Sequence, residues 1–154
     1  MSLTLTIRAA VPSDLAVMVL ALPVIARARP ELSASGRYYL AFGVDGRLLG
    51  AGGWSVGAAG PSDRLAAPSG VAGVGHVRHV GTDPSALRQG VARAVMTAVF
   101  DAARRAGLSR LQCLSTRTAA LFCTRLGFQT LGAVEVPLHA GIVFPAVSMV
   151  CDFT

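Results

Sequence analysis

Hydrophobic and polar positions change period along this chain, and each change marks an element. Leu3-Thr4-Leu5-Thr6-Ile7 alternates with the period of a half-buried strand, so residues 3 to 8 read as the first strand. Pro12-Ser13-Asp14 opens a helix: Ser13 can cap it, Asp14 complements its dipole, and Pro23 stops or kinks it. Residues 23 to 36 are less regular, and Pro30 with Ser33-Ala34-Ser35-Gly36 marks a second short helix and a loop. Arg37 to Val44 and Arg47 to Ser55 read as strands joined by the two-residue hairpin signal Asp45-Gly46. Val74 to Thr82 is a further strand. From Val91 to Ala106 the period becomes helical: Val91, Val95, Val99 and Ala102 or Ala103 form an apolar stripe, while Arg93, Thr97, Asp101 and Arg104 lie elsewhere. Gly107 ends that helix. Ser109 to Ser115 is a strand, and Thr116 or Thr118 caps a short helix ending at Leu126-Gly127-Phe128. Gln129 to Val136 and Ala146 to Phe153 alternate as two final strands, joined through Pro137 and Gly141. The order β-α-α-β-β-β-α-β-α-β-β predicts an α+β fold with a mixed sheet, in which the βαβ unit through 74 to 115 pairs in parallel with a right-handed crossover.

Two stretches interrupt the pattern. The strand at 47 to 55 carries Gly50, Gly52 and Gly53, which weaken a strand unless something needs the space. Either a ligand lies against Gly52 and Gly53, or the strand bulges beneath a helix. Residues 56 to 73, rich in Gly, Ala, Ser and Pro, form a connection long enough to be a lid.

Composition narrows the class. A chain of 154 residues, 53% hydrophobic and 14% charged, is expected to fold as one domain over 1–154. All basic residues are Arg, and the net charge of +6 favours an anionic ligand. The Arg residues are scattered with little aromatic interleaving, so nucleic acid is not the expected partner. Cys113, Cys123 and Cys151 are odd in number and form no CxxC, which argues against a disulfide framework and predicts no metal site. The apolar run Leu15 to Ala26 is too short to span a bilayer and lacks a basic leader, so no membrane association is expected and the chain reads as cytoplasmic.

The stretch Thr82-Asp83-Pro84-Ser85-Ala86-Leu87-Arg88-Gln89-Gly90-Val91-Ala92-Arg93 follows a strand and opens the best helix. Helix-opening N–H groups have no internal acceptor and suit a phosphate. Gly90 lets a ligand approach the backbone, and small Ala92 leaves the first turn clear. This stretch resembles the pyrophosphate loop of the GNAT superfamily of N-acetyltransferases, in which Arg or Gln, two residues, Gly, one residue and then Gly or Ala follow a strand. Gly90 and Ala92 match, Pro84 is in place, and Leu87 departs from the first position, with Arg88 next to it. A second motif of that family ends a helix with Ala-x-x-Phe/Leu-Tyr-x-x-Leu-Gly-Phe. Here Ala119-Ala120-Leu121-Phe122-Cys123-Thr124-Arg125-Leu126-Gly127-Phe128 is similar, with Cys123 where the Tyr stands.

The resemblance implies a mixed, mostly antiparallel sheet with splayed central strands flanked by helices. It also implies acetyl-CoA as donor and an amine as acceptor. The pantetheine arm would pair with the main chain at Val80 and Thr82, and the diphosphate would rest on the N–H groups of Arg88, Gln89, Gly90, Val91 and Ala92. Thr116 would stand where an Asn steadies the pantetheine, and the Val80 N–H would face the oxyanion. Transfer requires a base for the ammonium, polarisation of the thioester and a proton for the leaving thiolate. Proximity in a ternary complex supplies the rest. His76 is the candidate base, on the strand face it shares by alternation with Arg78 and Val80, and the alternative is a polar strand-end residue. Cys123 is the candidate acid, or a passive replacement beside the acetyl group. Tyr38, Gly53, Trp54 and Arg78 are candidates for the acceptor pocket, with Trp54 able to stack a flat or cationic group. The expected function is acetyl transfer to a small-molecule amine. The alternatives are a non-catalytic acyl-CoA-binding module and a protein or peptide acetyltransferase. A homodimer is a family habit that the sequence does not specify.

Overall fold

The computed structural model of the chain describes residues 3–21, 34–56, 73–139 and 141–153. The expected second helix and the connection at 56 to 73 fall outside these residues except at their ends. Two units are distinguished, one of residues 1–54 and 78–102 and one of residues 55–77 and 103–154.

The first unit contains β1 (Thr6–Ala9), α1 (Leu15–Ala21), β2 (Tyr38–Phe42) and nearly all of β3 (Leu48–Ser55). It also takes the later part of β4 (Val74–Thr82) and most of α2 (Val91–Arg105). Its strands run in the order β1-β2-β3-β4. The β1–β2 and β2–β3 pairs are antiparallel, in registers such as Arg8↔Leu40 and Tyr38↔Gly53, with an irregularity between Ala41 and Phe42. The hairpin falls where Asp45-Gly46 predicts it, but its loop has three residues. Gly43 N–H donates to the Arg47 carbonyl at 2.9 Å, Gly46 N–H to the Gly43 carbonyl at 3.0 Å, and Gly46 takes φ +80. That is a turn closed by a left-handed residue, which glycine adopts without strain. The first helical segment begins differently from the expected Ser13 cap. Pro12–Asp14 form a 3-10 turn behind Val11, which has no side-chain cap, and Asp14 Oδ2 accepts from the Val11 N–H at 2.8 Å. Arg8 grips the same carboxylate at 2.8 and 2.9 Å, and these bonds hold its pKa down at about 2.

Ala10, Met18, Tyr38, Leu40, Leu48 and Ala51 form one core cluster of this unit. Because side chains alternate across a strand, Gly50 and Gly52 face the other way. A Cβ on Gly50 would overlap Val91 of α2, and one on Gly52 would meet Val95 at 3.0 Å and Val80 at 3.1 Å. The α2 stripe is as the sequence predicts: Val91, Val95, Val99 and Ala103 are buried, while Arg93, Thr97, Asp101 and Arg104 are exposed.

The second unit holds the start of β4, β5 (Arg110–Ser115), α3 (Ala120–Leu126), β6 (Gln129–His139) and β7 (Ile142–Asp152). Its strands run β4-β5-β7-β6. β4 and β5 pair in parallel through Val74↔Arg110, Gly75↔Leu111 and His76↔Gln112. These three pairs lie at the start of β4, which runs on to Thr82, and of β5, which runs on to Ser115. Antiparallel β5–β7 and β6–β7 pairs complete a mixed, mostly antiparallel sheet. The last two strands are longer than expected, because they run through Pro137 and Pro145. Pro137 is on the edge strand β6, and Pro145 lies before the β7 segment that pairs with β5, so neither missing N–H breaks an interior ladder. Two helices end alike. Gly107 (φ +85) and Leu108 donate to the carbonyls of Arg104 and Ala103, and Gly127 (φ +110) and Phe128 to those of Thr124 and Cys123. Both are Schellman closures, which need the left-handed residue glycine supplies. No helix among the described residues is long and apolar enough to cross a membrane.

Candidate active site

The segment between β4 and α2 is held by one carboxylate. Asp83 N–H donates to the Leu49 carbonyl at 2.7 Å, which fastens the loop to β3. Its side chain accepts from Ser85 N–H at 2.8 Å, from Ser85 Oγ at 2.7 Å and from Arg47 at 2.9 Å. These bonds, those from Ser85 foremost, hold its carboxyl below the usual carboxylate range. Pro84–Ala86 make a 3-10 turn on this cap. The chain then reverses through two left-handed residues, Arg88 at φ 62 and Gly90 at φ 84. Nothing lies within 4 Å of where a Gly90 Cβ would be, so glycine here serves the backbone angle and an open approach. The Gly90 carbonyl accepts from Ala94 N–H at 3.0 Å, which makes Gly90 the residue at which α2 starts. The N–H groups of Val91, Ala92 and Arg93 are therefore those of a first turn, without acceptors four residues back. Arg88, Gln89 and Gly90 are exposed, Ala92 is half-buried, and the Val91 side chain is buried against Gly50 while its N–H belongs to the opening turn. Val80 and Thr82 are half-buried on β4. The segment from Thr82 to Arg93 is thus a loop that ends in a helix start. Asp83, which fastens it, was not singled out from the sequence; the signal was present as an Asp before Pro with Ser two residues on.

The second unit gathers different chemistry. On β5, alternation sends Gln112 to one face and Cys113 and Ser115 to the other. His76, register partner of Gln112, is on the Gln112 side and is 4% exposed. Cys123 of α3 lies on the Cys113 side. Its thiol donates to Ser115 Oγ at 3.7 Å, and the Ser115 hydroxyl donates to the Thr116 carbonyl at 2.8 Å. The neighbouring Cys113 thiol lowers the Cys123 pKa to about 7 against the opposing effect of burial. The Cys123 thiol, with burial, drives the Cys113 pKa up. So His76 and Cys123, the candidate base and acid, do not meet and start from opposite faces of the sheet. Neither Thr116 nor Thr118 is the cap residue of α3 that the sequence predicts. The cap residue is Ala119, with no side-chain bond, and the Thr116 hydroxyl accepts from Ala119 N–H at 3.1 Å and contacts that of Thr118 at 3.1 Å.

The acceptor candidates separate. Tyr38 is 0% exposed within the first unit's core, where burial pushes its phenol up, so it offers no surface to a substrate. Gly53 is explained by strand packing, since a Cβ there would come within 2.5 Å of the Arg37 carbonyl and 2.9 Å of Tyr38 Cα. The glycines of β3 make room for α2 and β2, which replaces the ligand reading of Gly52 and Gly53. Trp54 is buried, with the Arg37 guanidinium 4.8 Å from its ring centroid. Its indole N–H has no hydrogen-bond partner among the described residues. Arg78 is half-buried.

The family model for the acetyltransferase (GNAT) family matches residues 18–128, and the chain belongs to that family. No curated protein sequence matches it. Among solved structures it is similar to N-acetylglutamate synthase from Neisseria gonorrhoeae, complexed with coenzyme A and N-acetyl-glutamate. That likeness has a TM-score of 0.69 and 21% identity over 99% of this chain, which spans 36% of the synthase. A GCN5-related N-acetyltransferase from Kribbella flavida gives 0.68 and 21% over 97% of this chain and 98% of its own. The Mycobacterium tuberculosis protein Rv2747, in complex with CoA, gives 0.71 and 17% over 97% and 99%. At these identities the likeness is one of fold.

Proposed function

We propose that this chain transfers the acetyl group of acetyl-CoA to the amine of a small molecule, by direct attack in a ternary complex. The observation that carries this reading is the loop from Asp83 to Ala92. An ionised cap fixes it to β3, two left-handed residues turn it, and the first N–H groups of α2 lie at its end. An anion at this point completes the hydrogen bonding of the first turn and meets its partial positive charge. The diphosphate rests on the N–H groups of Arg88 to Ala92, and the pantetheine follows the main chain of Val80 and Thr82. Family membership and the CoA-bound neighbours support the same donor.

In this reading His76 takes the ammonium proton, and the Val80 N–H stabilises the oxyanion. Cys123 returns a proton to the leaving thiolate. The amine nitrogen and the thiolate sulfur share one carbon, so His76, which starts from the face opposite Cys123, reaches the ammonium through water. Thr116 faces the pantetheine and Arg78 selects the acceptor, while Trp54, buried under Arg37, supports the pocket from the core.

Thermal denaturation with acetyl-CoA against adenosine diphosphate tests the donor. A ligand binding only the folded state stabilises it by about 2.7 kcal/mol at 100 times its dissociation constant. A shift with acetyl-CoA much larger than that with the nucleotide, followed by acetyl transfer in an amine panel, is the expected result. No shift at millimolar acetyl-CoA sinks the reading; a shift without turnover across amines and peptides would leave a binding module.

A further inference from the structure

His76, Gln112 and Ser148 are buried polar side chains on one face of the second unit's sheet. His76 and Gln112 are register partners in the parallel pair β4–β5, so their side chains leave the sheet on the same side. Gln112↔Val150 and Leu114↔Ser148 are consecutive same-face pairs of β5 and β7, so Ser148 is a diagonal neighbour of Gln112 on that side. His76 and Gln112 are each 4% exposed, and Ser148 is 5% exposed.

Polar side chains are tolerated at such depth when their atoms find partners. Gln112 departs from that rule at one atom. Its Oε1 is buried and accepts no hydrogen bond among the described residues. An unmade hydrogen bond at a buried carbonyl is costly, and an apolar side chain on β5 would avoid the cost. The oxygen is aimed from a strand position whose register partner is the candidate base.

We infer that Gln112 is a positioning residue, whose Oε1 holds the water through which His76 takes the ammonium proton. The inference rests on the reading of His76 as the base. At 4% exposure the His76 ring offers almost no surface to a substrate, so a relay suits it better than direct contact. One water fits the need. One of its O–H groups donates to Gln112 Oε1, the other donates to a ring nitrogen of His76, and a lone pair is left to face the ammonium. The transfer balances. The ammonium N–H bond breaks and its proton joins the water oxygen, while the O–H bond towards His76 breaks and that proton joins the ring. A neutral amine, an intact water and an imidazolium result. The proton held by Gln112 stays in place, so the amide fixes where the lone pair points. About three polar partners is the usual number for a buried water. Ser148 makes the β7 side of the patch polar as well, and a polar site holds water where an apolar one stays dry.

Two measurements test this. The first is a crystal structure of the full chain at a resolution that places waters. Expected is an ordered water about 2.6–3.2 Å from both Gln112 Oε1 and a His76 ring nitrogen. An Oε1 bonded to a protein donor, or facing no water, overturns the inference whatever the activity. The second is a double-mutant cycle on acetyl transfer, with Gln112→Met and His76→Ala. Methionine is close to glutamine in shape, and thermal denaturation with acetyl-CoA checks that each variant folds and binds the donor. Gln112→Met should lower kcat about tenfold, part of the roughly hundredfold or more that general-base catalysis supplies, and leave the KM for acetyl-CoA unchanged. In the His76→Ala background it should cost nothing further. A merely structural Gln112 would cost the same in both backgrounds, and equal losses overturn the inference while the base reading stands. An unchanged kcat for His76→Ala overturns the base reading, and this inference with it.

Discussion

The loop ahead of α2 and the thiol-bearing β5–α3 segment reach reactive geometry by opposite means. The loop is backbone: two left-handed residues, a helix start, and Asp83 as the one side chain that fixes it. The β5–α3 segment is side chain: the Cys123 thiol donates to the Ser115 hydroxyl, which donates to the Thr116 carbonyl, and the Cys113 thiol acts on Cys123 beside them. A site made of N–H groups tolerates substitution of what projects from it and fails when its backbone moves. A site made of side chains keeps its fold under substitution and loses its chemistry. Changes in the first should alter binding, and changes in the second should alter turnover and its pH dependence.

The sharpest break of this contrast is Cys123→Ala. If Cys123 supplies the proton to the leaving thiolate, kcat should fall by about a hundredfold, at the lower end of general acid–base effects. The thermal shift with acetyl-CoA should persist. Unchanged kcat would make the thiol a passive replacement for the family's Tyr. Loss of the acetyl-CoA shift would mean that the two regions do not divide binding from chemistry.

Gly50→Ala tests the loop from beneath. Its Cβ has no room beside Val91, the first residue of α2, and the Gly81 carbonyl is 3.3 Å away on the other side. Overpacking of this kind costs about 2 kcal/mol, read as a lower urea midpoint at constant slope. Because Val91 opens the N–H turn, acetyl-CoA affinity should fall with it while the pH profile of kcat keeps its shape. A variant as stable as the parent would show that α2 shifts at no cost and that the β3 glycines are not there for it.

Cys113→Ala addresses the other region. A general acid must be protonated, and the protonated fraction of Cys123 falls as pH rises through about 7. The descending limb of kcat should lie there. Removing the Cys113 thiol disfavours the Cys123 thiolate, so the pKa rises towards the ordinary thiol value of about 8.5 and the limb moves up by about one pH unit. Ser115 remains as partner. A limb that stays in place would assign it to another group.

These contrasts also explain what the sequence made legible. Backbone devices leave marks in one stretch of chain. Asp83-Pro84-Ser85 and Gly90 announce the loop, Gly107 and Gly127 the helix ends, and the Val91, Val95, Val99 stripe the buried face of α2. The relay of Cys123 and Ser115 leaves none, because the two meet only through the packing of α3 on β5. The glycines of β3 fell between these cases. Their need for space was readable, but whether ligand, strand or helix required it depended on partners distant in sequence, and β2 and α2 proved to be those partners. Tyr38 was misplaced for the same reason. A strand Tyr reads alike whether it faces solvent or core, and only the β1–β2–β3 pairing with α1 turns this one inward.

The smallest predicted effect is the most pointed for the loop. Leu87 occupies the position where the family pattern has Arg or Gln, and its side chain is 56% exposed. It sits at the end of the 3-10 turn in extended geometry, with φ −64 and ψ 146, that any residue can adopt. If the loop binds through N–H groups whose placement Asp83 and the left-handed pair set, Leu87 matters only as a surface residue. Surface substitutions usually stay within about 0.5 kcal/mol, or roughly twofold in a dissociation constant. Leu87→Ala should therefore leave acetyl-CoA affinity within about twofold by calorimetry, and Leu87→Arg should tighten it only modestly, with the gain fading as salt screens the added charge. A tenfold gain for Leu87→Arg that resists salt would show that the side chain at this position contacts the diphosphate. The loop would then join the β5–α3 segment as a site built from side chains, and the contrast between the two regions would fall.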